Sequence, residues 1–401
     1  MIRSDATFPI LALCARLPGS PAVAEPLRRH TAAFPWDTLL RDADYHGLEP
    51  LLRAHLLDAG LSVPEEVGAR LQARWMQHAH AYAVRTRVLA VVLRAMNDAG
   101  IPVLILKGAA LAHLVYRDPL LRPMRDVDVL IRAEDALRAC RVLEECGFSS
   151  TGNTVAPDHH HLQGMSNTVD GATVTVELHH QILHATPFLT SLGYDELADR
   201  SQAFEWPGTQ ARTLGREDML WHVYAHAFAT NILRPGIRLI SVADLVALTE
   251  VWLDELDWDH LRHRYGRAFR ALPLLHHLTP WPPHVLERLR WDVRTIPRGV
   301  RSIAPALAWS PAAWRDVVCP PEWWLRVRYG IDGRTHWLWY RMVGHPVRFA
   351  VAALRAAAAR LAKRIRPNRI HILLQRTPSS VGDRDANARG RNADQSAARA
   401  A

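Results

Sequence analysis

Lysine is nearly missing from these 401 residues: Lys107 and Lys363 stand against a background of arginine. Cysteine is also scarce. Cys14, Cys140, Cys146 and Cys319 form no close metal-type pair, which argues against a cysteine zinc site and for reduced, mostly buried thiols. No run of about 20 uncharged apolar residues exists, so no membrane-spanning helix is expected. The opening MIRSDATFPILALCARLPGS has an apolar run too short for a signal peptide, broken by Pro9 and Arg16. Together these readings predict a cytoplasmic protein. There are no internal repeats and no recognised RNA-binding motif.

What is present is a large apolar fraction, 49%, enough for a full core and for more than one domain. The net charge of +9 is uneven. Residues 320–401 hold sixteen Arg or Lys against five Asp or Glu, which leaves −2 for residues 1–319. The positive surplus thus belongs to the C-terminal region. It suits a solvated tail, an acidic partner or an acidic membrane surface.

Periodicity divides the chain. Residues 1–100 read as helical, with segments ending at Gly60 and Gly100. Residues 101–185 read as mixed α/β: a strand at 103–106, a Lys107-Gly108 turn, a helix over 109–116, a loop 117–125, a strand at 126–131, an amphipathic helix closed by Gly147 and a strand at 173–178. Residues 186–320 return to helix. Residues 321–375 form a basic, Trp-rich extension, in which Val347, Val351, Leu354, Ala358, Leu361 and Ile365 make one apolar stripe. Packing against the body is the favoured fate of that stripe; pairing with another helix or lying on a membrane surface are the alternatives. Residues 376–401 have the composition of a disordered tail.

The chemistry concentrates in VLILKGAALAHLVYRDPLLRPMRDVDVLI. On a strand, Asp126 and Asp128 share a face while Val127 and Val129 point into the core. Adjacent carboxylates repel, and a magnesium ion carrying nucleotide phosphates offsets that cost. Glu177 sits near the end of another strand, followed by His179 and His180. The ordered set of Lys-Gly, helix, Asp-x-Asp strand and later Glu-x-His strand resembles the nucleotidyltransferase superfamily of the polymerase-β type. It is most similar to a group of uncharacterised bacterial nucleotidyltransferases, over about residues 30–290.

The resemblance implies an α+β fold: a polymerase-β-like core with a small mixed sheet, flanked by N- and C-terminal helical regions. It also implies transfer of a nucleoside monophosphate from a nucleoside triphosphate (NTP) to a small-molecule, peptide or protein acceptor. Gly108 becomes the turn glycine, and Asp126, Asp128 and Glu177 become the metal-binding carboxylates for two Mg2+ ions, with Mn2+ as a substitute. Ala109 stands where Ser or Gly is usual, so Lys107 takes over the phosphate contact. Arg122 and Arg125 are candidates to grip the triphosphate. A structural ion pair is the competing reading of Arg122.

His179 is a candidate to orient Glu177, the acceptor or phosphate; a metal site shared with His159, His160 or His161 is the alternative to a simple loop cluster. His222 and His226 read as core or interface histidines, Asp218 as a helix-end charge, and Arg238 as a structural partner of Asp244. Trp309, Trp314, Trp323, Trp324, Trp337 and Trp339 read as core rather than as a base-stacking platform. Two other functions compete with transfer: an inactive nucleotide- or partner-binding module, motivated by Ala109, and an RNA-directed transferase, motivated by the basic C-terminus.

Overall fold

The structure is a computed structural model that describes residues 7–30, 34–152, 159–184, 189, 191–230, 232–233, 237–290 and 317–365. Residues 1–349 form one compact unit and residues 350–401 a second. The expected tail, Trp309 and Trp314 lie outside the described residues.

The N-terminal helices are α1 Phe8–Leu13, α2 Pro21–His30, α3 Trp36–His46, α4 Glu49–Asp58 and α5 Glu65–Asp98. Helix α5 starts behind Pro64 with Glu65 and Glu66 in its first turn, where their charge suits the positive end of the helix dipole. It stops at Gly100, whose φ of 66° continues the chain in a conformation that Cβ-bearing residues resist. Its inner face packs against the sheet and buries Leu89, Val92, Leu93 and Met96.

The sheet follows from β1 Leu104–Ile105, β2 Val127–Leu130, β3 Ser149–Ser150, β4 Met165–Val169, β5 Ala172–His179, β6 Gln202–Trp206 and β7 Thr209–Thr213. Helices α6 Lys107–Leu114 and α7 Ala136–Glu145 connect its first half. The strand order is β3-β4-β5-β2-β1-β7-β6. The pairs β2/β5 and β1/β7 are parallel and the rest antiparallel. Strand β5 shows the expected alternation, with Val174, Val176 and Leu178 buried and Thr173, Thr175 and Glu177 on the other face.

Two differences from the sequence reading concern the sheet. Strands β3 and β4 were not anticipated. The stretch after residue 186 is not helix alone, because β6 and β7 form a hairpin that completes the sheet edge. Gly208, at φ 86°, makes its turn in Trp206-Pro207-Gly208-Thr209.

The later helices are α8 Tyr194–Ala198, α9 Arg216–Tyr224, α10 Leu239–Val251, α11 Trp258–Arg264, α12 Gly266–Ala271, α13 Pro283–Leu289, α14 Glu322–Tyr329, α15 Arg334–Trp339 and α16 His345–Ile365. Trp323 and Trp324 are core residues as expected, whereas Trp339 is exposed. On α16 the apolar stripe is open at Val347, Leu354 and Leu361. Cys14 is buried and burial pushes its thiol up to about 12, in keeping with an inert core cysteine; Cys319 is exposed. No helix among the described residues is long and apolar enough to cross a membrane.

Several polar anchors join the N-terminal helices to the later ones. Buried His46 accepts a hydrogen bond at Nδ1 from the Leu239 backbone N–H, 3.3 Å away, so that nitrogen must carry no proton. Burial holds its pKa down at about 4, with Asp42 opposing and Arg238 adding to the shift. Above about pH 6.5 the ring is neutral in both native and unfolded chains. As pH falls toward 4, only the unfolded chain gains the proton, so stability drops by up to about 1.4 kcal/mol per pH unit. Urea midpoints measured at pH 7 and pH 5 should show this fall, and a His46→Asn variant should show a shallower one.

Candidate functional site

The parallel register of β2 and β5 sets Asp128 directly beside Glu177 and Leu130 beside His179. Adjacent parallel strands put facing residues on the same side, so both carboxylates look outward from the valine-lined core. Asp126 lies one residue before β2 and is exposed; Asp128 is buried. All three line a cavity of about 580 Å³.

Lys107 opens α6 with φ 49°, a left-handed conformation that costs a non-glycine residue about 1–3 kcal/mol. Its Nζ lies 3.2 Å from Asp128 Oδ2, and His179 Nε2 lies 2.8 Å from Asp128 Oδ1. Burial alone would raise the Asp128 carboxyl, but Lys107 and the His179 hydrogen bond hold it well below the usual carboxylate range. His179 shows the reverse balance. Burial would lower its pKa, and the Asp128 and Glu177 carboxylates raise it.

Glu177 is lowered, first by the His179 N–H, although the 3.7 Å separation exceeds a proper hydrogen bond. Asp126, although its surface opens to solvent at the cavity mouth, is crowded by surrounding protein, and that desolvation, then the negative charge of Asp128, raises its carboxyl, with Lys107 opposing and Glu177 adding. The site thus holds one carboxylate already neutralised, Asp128, and two more whose charge is less fully offset. Asp128, Glu177 and His179 offer ligand atoms within 4.8 Å of one another.

The phosphate-side candidates separate. Gly108 lines the cavity, and a Cβ there would lie 2.6 Å from Arg122 Nη1, so glycine is needed to seat that guanidinium against the start of α6. Arg122 is itself committed. Its Nε and Nη2 donate to Asp244 at 2.9 and 2.7 Å and its Nη1 donates to the Pro123 carbonyl at 2.6 Å. The ion-pair reading of Arg122 therefore describes its contacts, with Asp244 as the partner. Tyr116 Oη donates to the same Asp244 at 2.8 Å. Arg238 instead donates to the Tyr45 carbonyl, which corrects its expected pairing with Asp244.

Arg125 is exposed on the cavity rim, where its Nη2 donates a long hydrogen bond, 3.4 Å, to the Asp44 carbonyl. The Ala109 methyl is buried in the core and not in the cavity lining, so only its backbone could serve phosphate.

Some of the lining was not legible beforehand. His226 projects into the cavity from a π-helical turn, Ala225–Ala229, that follows α9. Such turns shift side chains out of ordinary helical register and recur at functional sites. Lys107 and then burial hold its pKa down to about 3. His222, one turn earlier, is a core residue as expected. Arg53, Arg74 and Arg238 line the far side, where Arg53 stacks over Trp75 at 5.1 Å. Asp218 is no simple helix-end charge: it is buried, takes two hydrogen bonds from Arg200 at 2.8 and 3.1 Å, and accepts a third from Tyr265. His159, His160 and His161 also line the cavity.

Two solved structures resemble this chain. The antibiotic-resistance factor ANT(2'')-Ia is 15% identical, covering 49% of this chain and 98% of its own, at a TM-score of 0.32. An antigenic nucleotidyltransferase-like protein from Paracoccidioides brasiliensis is 14% identical, covering 50% and 96%, at a TM-score of 0.27. Likenesses this distant say nothing about the site. No curated protein matches the chain. The family model is another matter, since it aligns with residues 32–279, well over half of the chain and the whole of the carboxylate-bearing sheet. The chain belongs to the family of uncharacterised nucleotidyltransferases.

Proposed function

We propose that this protein transfers a nucleoside monophosphate from an NTP to the hydroxyl of a small-molecule, peptide or protein acceptor, with Mg2+ held by Asp126, Asp128 and Glu177. One observation carries the reading. Asp128 and Glu177 face each other across parallel strands, with Lys107 Nζ 3.2 Å from Asp128, at the wall of a cavity of about 580 Å³. That volume falls in the range of small-molecule sites.

The donor set suits a hard divalent ion: the Asp128 and Glu177 carboxylates converge within 4.8 Å, together with His179, while Asp126 lines the same cavity outside that cluster with its charge only partly offset, and the lysine cation stands beside Asp128. When bound, such ions neutralise the triphosphate and polarise the attacking and leaving oxygens. The chain does the rest. Lys107, placed by a strained backbone, can pass its charge from Asp128 to a phosphate oxygen. Gly108 keeps the start of α6 open, while Arg122, fastened to Asp244, braces it. Glu177, partly exposed, is the carboxylate an acceptor hydroxyl meets, as ligand or as proton acceptor. Arg125 on the rim has donors to spare for phosphate.

A second reading has its own support. Asp128 is already satisfied by Lys107 and His179, which suits a module that binds nucleotide without turnover. One experiment separates the two. The purified protein is incubated with Mg2+, each of four NTPs and a cell extract, and products are read by mass spectrometry. Transferase activity yields pyrophosphate and an acceptor heavier by one nucleoside monophosphate. Calorimetric NTP binding without either product favours the module, and absence of both binding and product contradicts both readings.

A further inference from the structure

The chain has a second cluster of ligand-type side chains beside the carboxylates, built wholly of nitrogen. His159, His160 and His161 bring one ring nitrogen each to within 4.8 Å of one another. Their ring centroids lie 4.1 to 4.9 Å apart. Three consecutive imidazoles on a freely moving loop would not hold such an arrangement, but this backbone is pinned to the end of β5. The Leu162 N–H donates to the Leu178 carbonyl at 2.8 Å, His180 N–H donates to the His160 carbonyl at 3.1 Å, and His180 Nε2 lies 2.8 Å from the His159 carbonyl. An isolated bridge joins His161 to His179.

The ring nitrogens are poised to coordinate. His161 donates Nδ1–H to the Leu162 carbonyl at 2.6 Å, which leaves Nε2 with its lone pair, 3.8 Å from Glu177. An imidazole fixed through one nitrogen and bare at the other is the tautomer a metal takes. His159 and His160 each bury Nδ1 with no hydrogen-bond partner among the described residues. A buried polar atom left so needs something to satisfy it.

We infer that His159, His160 and His161 form a nitrogen site for a borderline transition-metal ion of the zinc class, separate from the oxygen site of Asp126, Asp128 and Glu177. Imidazole suits zinc, whereas carboxylates and water suit magnesium. Tetrahedral Zn–N bonds of about 2.0–2.1 Å place ligand nitrogens about 3.4 Å apart, so nitrogens that already lie within 4.8 Å of one another need converge by no more than about 1.4 Å, by small ring rotations. Three protein ligands leave a fourth position for water or an acceptor group. The inference does not depend on nucleotidyl transfer.

The test is metal uptake by the full, untagged chain. After dialysis against Zn2+ and then metal-free buffer, the wild type should keep about one zinc per chain, as a three-histidine site would. His159→Ala and His160→Ala should lose it, and Asp128→Asn should keep it. Equal retention in the wild type and the histidine variants, or loss in Asp128→Asn alone, overturns the site. Should the histidine variants fail to fold, the Co2+ form of the wild type decides. Strong visible absorption from a tetrahedral nitrogen site supports the inference, and only the weak bands of an octahedral oxygen site contradict it.

Discussion

The Asp128→Asn variant is expected to lose nucleotidyl transfer by about a thousandfold or more while remaining folded. The two halves of that outcome have different origins. Asparagine keeps an oxygen for the His179 Nε2 hydrogen bond of 2.8 Å, and Lys107, partly exposed, keeps access to solvent. His179 can shed the proton that the Asp128 carboxylate favours. The cost to stability is therefore about 1–3 kcal/mol, that of a charged hydrogen bond weakened rather than a core broken. Transfer loses the central carboxylate of the trio, and the charge stabilisation supplied through metal ions is worth several kcal/mol in the transition state. A thermal melt and an assay for pyrophosphate release, run on the same preparation, read both halves. Unchanged turnover in a folded variant contradicts the assignment.

The largest effect on stability is expected at Asp244→Ala. That carboxylate receives two hydrogen bonds from Arg122 and one from Tyr116, and all three side chains are largely buried. Burial alone would lower the Arg122 pKa, but Asp244 raises it, so the guanidinium stays charged. Removing its partner strands that charge and should cost about 3–5 kcal/mol. The guanidinium would also lose its seat against Gly108, and nucleotide binding should weaken. A double variant, Arg122→Met with Asp244→Leu, should recover much of the stability but not the binding, because apolar replacement removes the stranded charge along with the brace. Urea denaturation measures the first quantity. A loss below about 1 kcal/mol in Asp244→Ala would show that the pair is not the anchor its geometry suggests.

The contrast between these residues explains what could be read in advance. The face shared by Asp128 and Glu177 is readable in the sequence because its cause is local: period-2 alternation decides the face, and β-branched neighbours mark the strand. The Lys107-Gly108 turn was visible for the same reason, although the left-handed φ falls on Lys107 and the helix begins there rather than at 109. Asp244 as the partner of Arg122 was out of reach, since 122 residues separate them and sequence does not rank ion-pair partners at that distance. His226 was hidden by the π-helical turn, which takes it out of the ordinary helical register it would share with His222 four residues earlier. The β6–β7 hairpin has a short local signature, in which buried Phe204 and Trp206 flank exposed Glu205 just before a Pro-Gly turn.

The central claim is that Asp126, Asp128 and Glu177 together hold divalent ions against a nucleotide. Crystals grown with Mn2+ and a non-hydrolysable NTP, measured at the manganese edge, test it directly. Anomalous peaks between those three side chains, with the triphosphate reaching toward Lys107, are the predicted result. Manganese bound elsewhere, or a nucleotide seated away from Lys107, would contradict it.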